Sequence, residues 1–417
     1  MTDDLQSRQQ RPAPSYTYLP YLTWSLLLLL VVWFFVWLLF YRPTTQEQRM
    51  EASFAYALRY IPRAYVEEVD QAKLHQAAME AMVKSLGDRH SLYLTPEQMR
   101  FLEVETRGEF GGIGVTVMQR DGLPVVTEVR EDGPAWRAGI EAGDLMTQVD
   151  GRALSELSLD KAVDLIRGKV GTDVELGLER PATGESFVRT LTREKITLPT
   201  VEWEVLEGGI GKLRLLLFDE NAADKTEEAL AELAKQNVRA LVFDLRGNNG
   251  GLVDQAIRVC DMFLSEGKIL SQRTRHKQLQ RSREASASVR LAAEVPVVVL
   301  VDAGTASSAE IVAGALQANG RATLVGTKTV GKGSVNEVVS LPDGSGLSLI
   351  VSYYELEGAR IIEGQGLEPD VVVGEVPTLP EEPGPQDVEE WRRLYAESSE
   401  EQLQKALEIL KQKLGGP

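Results

Sequence analysis

Apolar residues are unevenly spread along the chain, and the longest uncharged run lies near its start. Residues 21–41 read YLTWSLLLLLVVWFFVWLLFY. About 20 apolar residues in a helix are enough to cross the roughly 30 Å hydrocarbon core of a membrane. A cleaved signal peptide is the alternative, but the run is long and no small-residue cleavage site follows it. The pattern predicts a retained transmembrane helix after a disordered polar tail at residues 1–20. The arginines flanking the run are balanced, so its orientation stays open.

Helical periodicity follows over residues 46–107. Phe54, Leu58 and Ile61 recur at intervals of three or four and share one predicted helical face. Residues 87–91 break this pattern. Thr95 followed by Pro96 then has the composition of a helix start, with a cap and a proline at the first helical position. The region is therefore predicted to be helical with one interruption.

Two further patterns divide the rest of the chain. Residues 108–195 contain short apolar or alternating runs such as DVELGLER, separated by turn residues, and predict five or six strands with two helices. Residues 200–374 alternate strands with helices, and the near-continuous apolar run 297–301 favours a sheet covered on both faces. Residues 375–417 are a Pro/Glu-rich linker and an amphipathic helix that either docks on the core or binds a partner. The fold class is a multidomain α/β protein.

Composition excludes several function classes. Lys and Arg number 45 against 62 Asp and Glu, and the formal net charge of −17 argues against nucleic-acid binding. The single cysteine, Cys260, excludes an intrachain disulfide framework and a thiolate metal cluster. With three histidines in the whole chain, a metal site built from several histidine ligands is not favoured. His90 is interpreted as a turn residue. No metal is expected.

A serine-containing turn is the first candidate for chemistry. DAGTASSAE, at residues 302–310, follows the apolar strand and opens a helix. A serine there would be exposed at the edge where open α/β sheets bind ligands. The helix N-terminus would favour developing negative charge. The alternative is that Ser307 or Ser308 simply caps the helix.

Two glycine-rich turns are the next candidates. Gly250 and Gly251 end FDLRGNNGG and allow backbone N–H groups to approach a substrate, as an oxyanion site requires, although a plain tight turn is the alternative. Residues 326–333 nearly match a phosphate-binding loop, but Gly333 occupies the place of the magnesium-binding hydroxyl. Lys332 is instead a lysine that, once desolvated, can act as a neutral base beside a serine. The sequence does not favour a histidine-based catalytic triad, because residues 277–417 contain no histidine.

Eight segments, in their order and spacing, resemble the carboxyl-terminal processing proteases, which are PDZ-containing serine proteases with a Ser/Lys dyad. These segments are SLGDRHSLYLTP, GEFGGIGV, GPAWRAGIEAGDLMTQVDG, LIRGKVGT, DLRGNNGG, GTASSAEI, VGKGSV and EGQGLEPDVVV. The resemblance covers roughly residues 46–374. It implies a PDZ-like domain at residues 108–195 and an α/β serine protease core of the ClpP/crotonase type at residues 200–374.

The resemblance also implies roles for individual residues. Ser307 matches the family's nucleophile, and Lys332, 332 − 307 = 25 residues later, matches its general base. The backbone N–H groups of Ser308 and Gly251 match the oxyanion donors. Asn336 stands where the family commonly has a glutamine that orients the lysine; it keeps the amide but is one methylene shorter.

The PDZ-like module is expected to bind a substrate C-terminus. Its glycine-rich loop would offer backbone N–H groups to a carboxylate and a strand edge for pairing, with an ordinary turn as the alternative. The loop residues are Gly111, Gly112, Ile113, Gly114 and Val115. Arg167 matches a family residue thought to couple PDZ position to the active site, with a solvated helix-end arginine as the alternative.

The expected protein is a membrane-anchored serine endopeptidase of the cytoplasmic membrane. The resemblance implies that its catalytic part is extracytoplasmic (periplasmic), that it needs no cofactor, and that its substrates are proteins with free C-termini. A homo-oligomer or a regulatory partner is compatible with the sequence. The rival hypothesis is a proteolytically silent, membrane-anchored PDZ scaffold that binds protein C-termini.

Overall fold

The structure is a computed structural model that describes most of the chain. The described residues are 19–41, 45–120, 122–155, 157–275, 281–286, 289–357, 360–377 and 385–415. The chain divides into two compact units, residues 1–82 and 83–417.

The first unit is helical. Its helices are α1 (Leu19–Tyr41), α2 (Gln46–Ala64) and most of α3 (Gln71–Lys84). Thr45 caps α2 and forms a capping box with Gln48, which gives this helix a defined start. The side chains of α1 are described for residues 24–35. Within the described residues, no helix combines the length and apolar character that a membrane crossing requires. The transmembrane segment at 21–41 stays a prediction, and the tail at 1–20 lies almost wholly outside the described residues.

The second unit begins with a short strand and a capped helix, β1 (Leu92–Leu94) and α4 (Pro96–Arg107). The Thr95 hydroxyl accepts from the backbone N–H of Gln98 at 3.2 Å, and the Gln98 side chain accepts from the Thr95 N–H at 2.9 Å. The helix start predicted from Thr95 and Pro96 is confirmed. Gly108, at φ +67°, ends the helix in the left-handed conformation that glycine adopts readily.

Residues 109–197 form the β-rich module. Its elements are β2 (Glu109–Gly112), β3 (Val115–Arg120), β4 (Leu123–Val129), α5 (Pro134–Arg137), β5 (Leu145–Val149), β6 (Arg152–Ala153), α6 (Leu159–Ile166), β7 (Asp173–Arg180), β8 (Glu185–Thr192) and β9 (Glu194–Thr197). Strands β3 to β8 make one six-stranded sheet, and β2 pairs with β9 in a separate ribbon. In β7, Val174, Leu176 and Leu178 are buried while Asp173 and Glu175 are exposed, which is the two-residue period of a half-buried strand. The prediction of five or six strands and two helices is matched by the six strands of this sheet with α5 and α6, and the β2–β9 ribbon was missed.

The catalytic-type core is a layered α/β structure. Its elements are β10 (Val201–Leu206), β11 (Ile210–Leu215), α7 (Ala222–Lys235), β12 (Ala240–Asp244), α8 (Val253–Asp261), β13 (Lys268–Thr274), β14 (Arg281–Glu284), β15 (Val297–Val301), α9 (Ser308–Ala318), β16 (Ala322–Gly326), β17 (Ser334–Ser340), β18 (Gly346–Leu356), β19 (Arg360–Ile361), β20 (Val371–Val372) and α10 (Pro385–Lys413). The central sheet has the order β10-β11-β12-β15-β16-β20, and its strands from β11 onwards are parallel.

Both faces of this central sheet are buried. Val297, Val299 and Val301 face a core that includes residues of α7, α8 and α9, whereas Val298 and Leu300 face a second core shared with α10. The near-continuous apolar run at 297–301 arises because every side chain of β15 is covered. The expected two-sided sheet is confirmed, and α10 docks on the core of its own chain.

A second sheet flanks the first. It has the order β1-β18-β13-β14, and β17 and β19 also pair with β18. Because β11, β12, β15 and β16 are parallel, the loops after their carboxyl ends meet at one edge of the central sheet. These loops contain residues 245–252, 302–307 and 327–333, where the sequence placed its candidates for chemistry.

Candidate active site

Ser307 lies at the junction between the loop after β15 and the start of α9. Its backbone has φ +55° and ψ −117°, a conformation that is sparsely populated by residues other than glycine. The residue is 8% exposed. Its position lets the side chain reach the cleft while its backbone is held by buried partners. This sharp turn between a buried strand and a helix fits the expected nucleophile position.

Glu310, one turn into α9, binds the backbones of both candidate dyad residues. Its side chain is fully buried. Oε2 accepts the N–H of Ser307 at 2.9 Å and the N–H of Lys332 at 2.8 Å. Oε1 accepts the N–H of Gly331 at 2.7 Å and the hydroxyl of Thr329. Four donors to one carboxylate compensate the cost of burying it. They also fix the loop after β16 against the start of α9.

Lys332 lines the same cleft as Ser307, on the opposite loop. Gly331, at φ +85°, precedes it, and a Cβ there would lie 2.6 Å from the backbone nitrogen of Gly366. Only glycine therefore fits this close approach, and the tight turn is what places the lysine. In the described part of the chain, no carboxylate forms an ion pair with the Lys332 amine within 4.0 Å.

Asn336 lies near the start of β17, four residues after Lys332. Its Nδ2 donates to the carbonyl of His90 at 2.7 Å and to Ser348 Oγ at 3.0 Å. Its Oδ1 is buried and has no hydrogen-bond partner among the described residues. Asn336 and Lys332 both line the cleft. A buried amide oxygen without a partner is a costly arrangement, so Oδ1 is available to accept a hydrogen bond from a donor that enters the site.

The oxyanion candidates lie across the cleft from Lys332. The N–H of Gly250 is already used, since it donates to Asn248 Oδ1 at 2.8 Å. This leaves Gly251, at φ +137°, as the glycine whose N–H can serve a ligand. Ser308 is the first residue of α9, where helix N–H groups lack intrahelical acceptors. Its hydroxyl donates to the carbonyl of Gly251 at 2.8 Å, which ties the two predicted donors together.

The cleft that joins these groups is large. Its volume is about 1360 Å³. Ser307, Lys332, Asn336 and Gly251 lie along it, and α4 and β1 contribute much of the opposite wall. Ser308 is fully buried beneath it. The arrangement can hold an extended peptide against a serine hydroxyl, a lysine amine and unpaired backbone donors.

A second groove, of about 510 Å³, lies in the β-rich module. Gly112, Ile113, Gly114 and Val115 line it as expected. Gly111 does not, because it pairs with Lys195 of β9 and accepts from the N–H of Gly168 at 3.0 Å through its carbonyl. The glycine-rich run is thus partly strand and only partly loop.

Arg167 lies in the wall of this groove, directly after α6. Its guanidinium lies 4.4 Å from the ring centroid of Phe110, a cation–π distance. Desolvation by burial lowers the pKa of Arg167, with a smaller opposing effect from Asp164. The arginine therefore packs into the groove wall, which does not fit the solvated alternative.

Comparison with known proteins identifies the family. The model of Peptidase family S41 matches residues 209–373, and a PDZ domain model matches residues 125–180. A carboxy-terminal-processing protease of Bartonella bacilliformis is 38% identical over 337 residues, covering 79% of this chain and 77% of that protein. The chain belongs to the S41 family of carboxy-terminal-processing peptidases.

Other relatives agree. The carboxy-terminal processing protease CtpA of Bacillus subtilis is 33% identical over 318 residues, covering 76% of this chain and 67% of that protein. Among solved structures, the photosystem II D1 C-terminal processing protease is 31% identical, covers 79% of this chain and 94% of that one, and has a TM-score of 0.46. The two family models and the curated relatives identify the chain as a serine-type peptidase with a PDZ domain.

Sequence reasoning missed a set of buried residues that support the site of this S41 protease. Arg246 binds both carboxylate oxygens of Asp244 and donates to the carbonyl of Ser399 at 2.7 Å in α10. Asp302 accepts the N–H of Gly247 and the hydroxyl of Tyr395 at 2.8 Å. The amphipathic pattern of α10 was compatible with docking or with a partner, and it did not indicate these polar contacts.

Glu310 was also missed, although a signal for it exists. A serine followed three residues later by glutamate is the capping-box pattern, and it points to a carboxylate that turns back to the helix start. That pattern places Glu310 near Ser307. It does not predict that the same oxygen also accepts from Lys332, because that contact depends on how two distant loops meet.

Proposed function

We propose that this S41 protease is a membrane-anchored endopeptidase that cleaves proteins with Ser307 as nucleophile and Lys332 as general base. One observation carries the proposal: a single buried oxygen, Glu310 Oε2, binds the backbone N–H groups of both residues, and both residues line one cleft. A nucleophile and its base must be held within hydrogen-bond reach of each other, and a shared anchor serves that purpose.

The proposed reaction is acyl transfer. Ser307 Oγ attacks the peptide carbonyl carbon while its proton passes to the Lys332 amine. The N–H groups of Gly251 and Ser308 hold the oxyanion. Lys332 then protonates the leaving amine, the C–N bond breaks, and an acyl-enzyme remains. A water molecule, deprotonated by Lys332, attacks the acyl carbon; the bond to Ser307 Oγ breaks, Lys332 returns the proton to Oγ, and the product carboxylate leaves. The unpaired Oδ1 of Asn336 would accept a hydrogen bond from the lysine and orient it through these steps.

Substrate selection is proposed to use the PDZ groove. The buried Ile113 and the α6 side of the groove favour an apolar C-terminal residue, because a charged one would lose hydration there without gaining a partner. The N–H groups of the loop after Gly112 would bind the carboxylate. Arg167, packed on Phe110 beside the β2–β9 ribbon, would transmit docking toward the core. Docking can shift the enzyme only if the ligand binds the open state more tightly than the closed one.

Anchoring and location rest on the sequence. Residues 21–41 have the length and composition of a single transmembrane helix. We propose that this helix is retained in the cytoplasmic membrane and that the catalytic part lies on the extracytoplasmic, periplasmic side. No metal or cofactor takes part in the proposed reaction.

The test uses the full chain in detergent and two readouts. The first is labelling by a fluorophosphonate, and the second is cleavage of one peptide supplied with a free apolar C-terminus or with a C-terminal amide. Ser307→Ala and Lys332→Ala are each expected to lose at least about 10³-fold in cleavage. Lys332→Arg should be equally inactive, because guanidinium stays protonated. Ser308→Ala distinguishes the two serines: it loses the hydroxyl contact with Gly251 but keeps the proposed nucleophile, so it should still be labelled.

Each arm has a result that contradicts the proposal. Cleavage by Ser307→Ala together with loss in Ser308→Ala would identify the wrong serine. An active Lys332→Arg would reduce the lysine to an electrostatic role. Equal rates for the free and amidated peptides would remove substrate selection by the PDZ groove. Absence of any label on the parent chain would favour the silent scaffold.

A further inference from the structure

One phenol touches the carbonyls of both proposed dyad residues. Tyr354 lies in β18 and is fully buried. Its hydroxyl is 2.6 Å from the carbonyl oxygen of Lys332 and 3.1 Å from the carbonyl oxygen of Ser307. Ser307 and Lys332 follow different strands of the central sheet, so this hydroxyl joins two loops that the chain itself does not connect locally.

The contacts of Tyr354 complement those of Glu310. Glu310 Oε2 receives the N–H groups of Ser307 and Lys332, and Tyr354 Oη meets their C=O groups. Each of the two residues is therefore restrained on both sides of its Cα. With both peptide groups fixed, the direction in which each side chain leaves the backbone is fixed as well.

The hydroxyl is a reliable donor. Burial, and then the neighbouring carboxylates of Glu310 and Glu363, raise the pKa of Tyr354 well above its ordinary value. The phenol thus keeps its single proton over the range in which the enzyme works. That proton goes to the nearer carbonyl, that of Lys332, while the Ser307 carbonyl is a second, longer acceptor.

We propose that Tyr354 is a positioning residue that sets the spacing between the Ser307 hydroxyl and the Lys332 amine. The proposal rests on the Ser/Lys dyad proposed above. Tyr354 acts through the two backbones and does not contact substrate, because it is fully buried and does not itself line the cleft. A misplacement of about 1 Å between reacting groups is enough to slow catalysis strongly.

The test is Tyr354→Phe in the full chain, which removes one oxygen and keeps the ring in its core position. Tyr353→Phe is the matched control: it makes the same chemical change one residue away, on the opposite face of β18. We expect Tyr354→Phe to lower kcat and the fluorophosphonate labelling rate by about 10- to 100-fold. KM should stay within about twofold, because the contacts with substrate are unchanged. Tyr353→Phe should match the parent.

A purely structural role would give a different result. Rates are therefore expressed per folded molecule, with the folded fraction taken from urea unfolding. Incorporation of 4-aminophenylalanine at position 354 restores a hydrogen-bond donor at the same place and should recover most of the rate. This analogue tests the proposal even if Tyr354→Phe folds poorly. The proposal is overturned if Tyr354→Phe labels and cleaves like the parent per folded molecule, or if the amino analogue folds but gives no recovery.

The failure of this proposal can be told apart from failure of the dyad. If Ser307→Ala still cleaves the peptide, the proposed dyad is wrong whatever Tyr354→Phe does. If Ser307→Ala is inactive and Tyr354→Phe is normal, the dyad stands and only the positioning role is lost.

Discussion

Replacing Glu310 by glutamine halves the acceptor capacity that joins the Ser307 and Lys332 loops. The carboxylate accepts two donors on each oxygen: the N–H groups of Ser307 and Lys332 on Oε2, and Gly331 N–H with the Thr329 hydroxyl on Oε1. A glutamine side chain has one carbonyl oxygen and one NH₂ group. In either orientation, two donors face an NH₂ group that cannot accept.

The size of the effect follows from these contacts. A hydrogen bond to a charged group contributes about 1.5–3 kcal/mol. Losing two would cost roughly 3–6 kcal/mol, reduced by the lower cost of burying a neutral amide. A net loss of about 3 kcal/mol leaves a domain of ordinary stability folded. If the same energy is needed to return the loops to the reactive arrangement, kcat should fall by roughly 100-fold.

The assay compares Glu310→Gln with a matched acidic residue on the neighbouring segment. Glu363 also accepts a loop N–H, that of Gly333 at 2.7 Å, but only one such donor is involved. In Glu363→Gln the amide oxygen can turn toward that donor, so kcat should stay within about threefold. Peptide cleavage, fluorophosphonate labelling and urea unfolding are measured for both variants.

If Glu310→Gln cleaves the peptide within about twofold of the parent, the hydrogen bonds of Glu310 do not hold the two loops in the reactive arrangement. The same conclusion follows if kcat falls equally in Glu310→Gln and Glu363→Gln, because the number of donors that each carboxylate binds would then not matter. An equal loss of stability and of kcat places the effect in the loops, whereas a loss of stability alone would show that Glu310 only supports the fold.

Two other predictions concern the oxyanion loop and the PDZ domain. In Gly250→Ala the new Cβ would lie 2.7 Å from Ser307 Cβ, on a backbone with φ +101°, so kcat should fall by at least about 100-fold. Gly184→Ala is the control: its φ is +70° but the space around it is open, so it should lose only about 1 kcal/mol of stability. Normal cleavage by Gly250→Ala would show that the loop has room. Burial opposes ionisation of Asp144, but hydrogen bonds from Arg180 and the Glu141 N–H outweigh it and lower its pKa. The stability that Asp144 contributes is therefore full at neutral pH and is lost as the pH falls below about 4 toward the folded-state pKa. In Asp144→Asn, the unfolding temperature should fall less steeply as the pH is lowered below about 4. If the fall is as steep as in the parent, the acid destabilisation comes from other carboxyl groups.

The sequence predicted the elements that follow from local periodicity and turn chemistry. The start of α4 at Thr95 and Pro96 depends on neighbours three residues apart, and the two-sided burial of β15 follows from an unbroken apolar run. The expectation that Ser307 lies at the sheet edge where ligands bind followed from the position of its turn after an apolar strand. These inferences need no knowledge of distant contacts.

The contacts that were not predicted all join segments far apart in the chain. Tyr354 reaches Ser307 and Lys332 only because β18 passes beneath both loops, and a tyrosine in an apolar strand is otherwise typical of a core. Strands β13 and β14 were missed because KILSQRT and RSRE are largely polar and carry weak strand patterns. Gly111 looked like a loop residue, yet the approach of Gly168 draws it into a strand pair.

The docking of α10 has a consequence for how the enzyme is made. Arg246 and Asp302, on the two loops that flank the cleft, bind residues of a helix that the ribosome synthesises after every strand of the core. About 110 residues separate Asp302 from the end of α10, so at about 5–20 residues per second the emerging chain holds both loops without that helix for roughly 5–20 s. During this interval neither Arg246 nor Asp302 has its hydrogen-bond partner on α10. The two loops therefore reach their final polar contacts only after α10 has been synthesised.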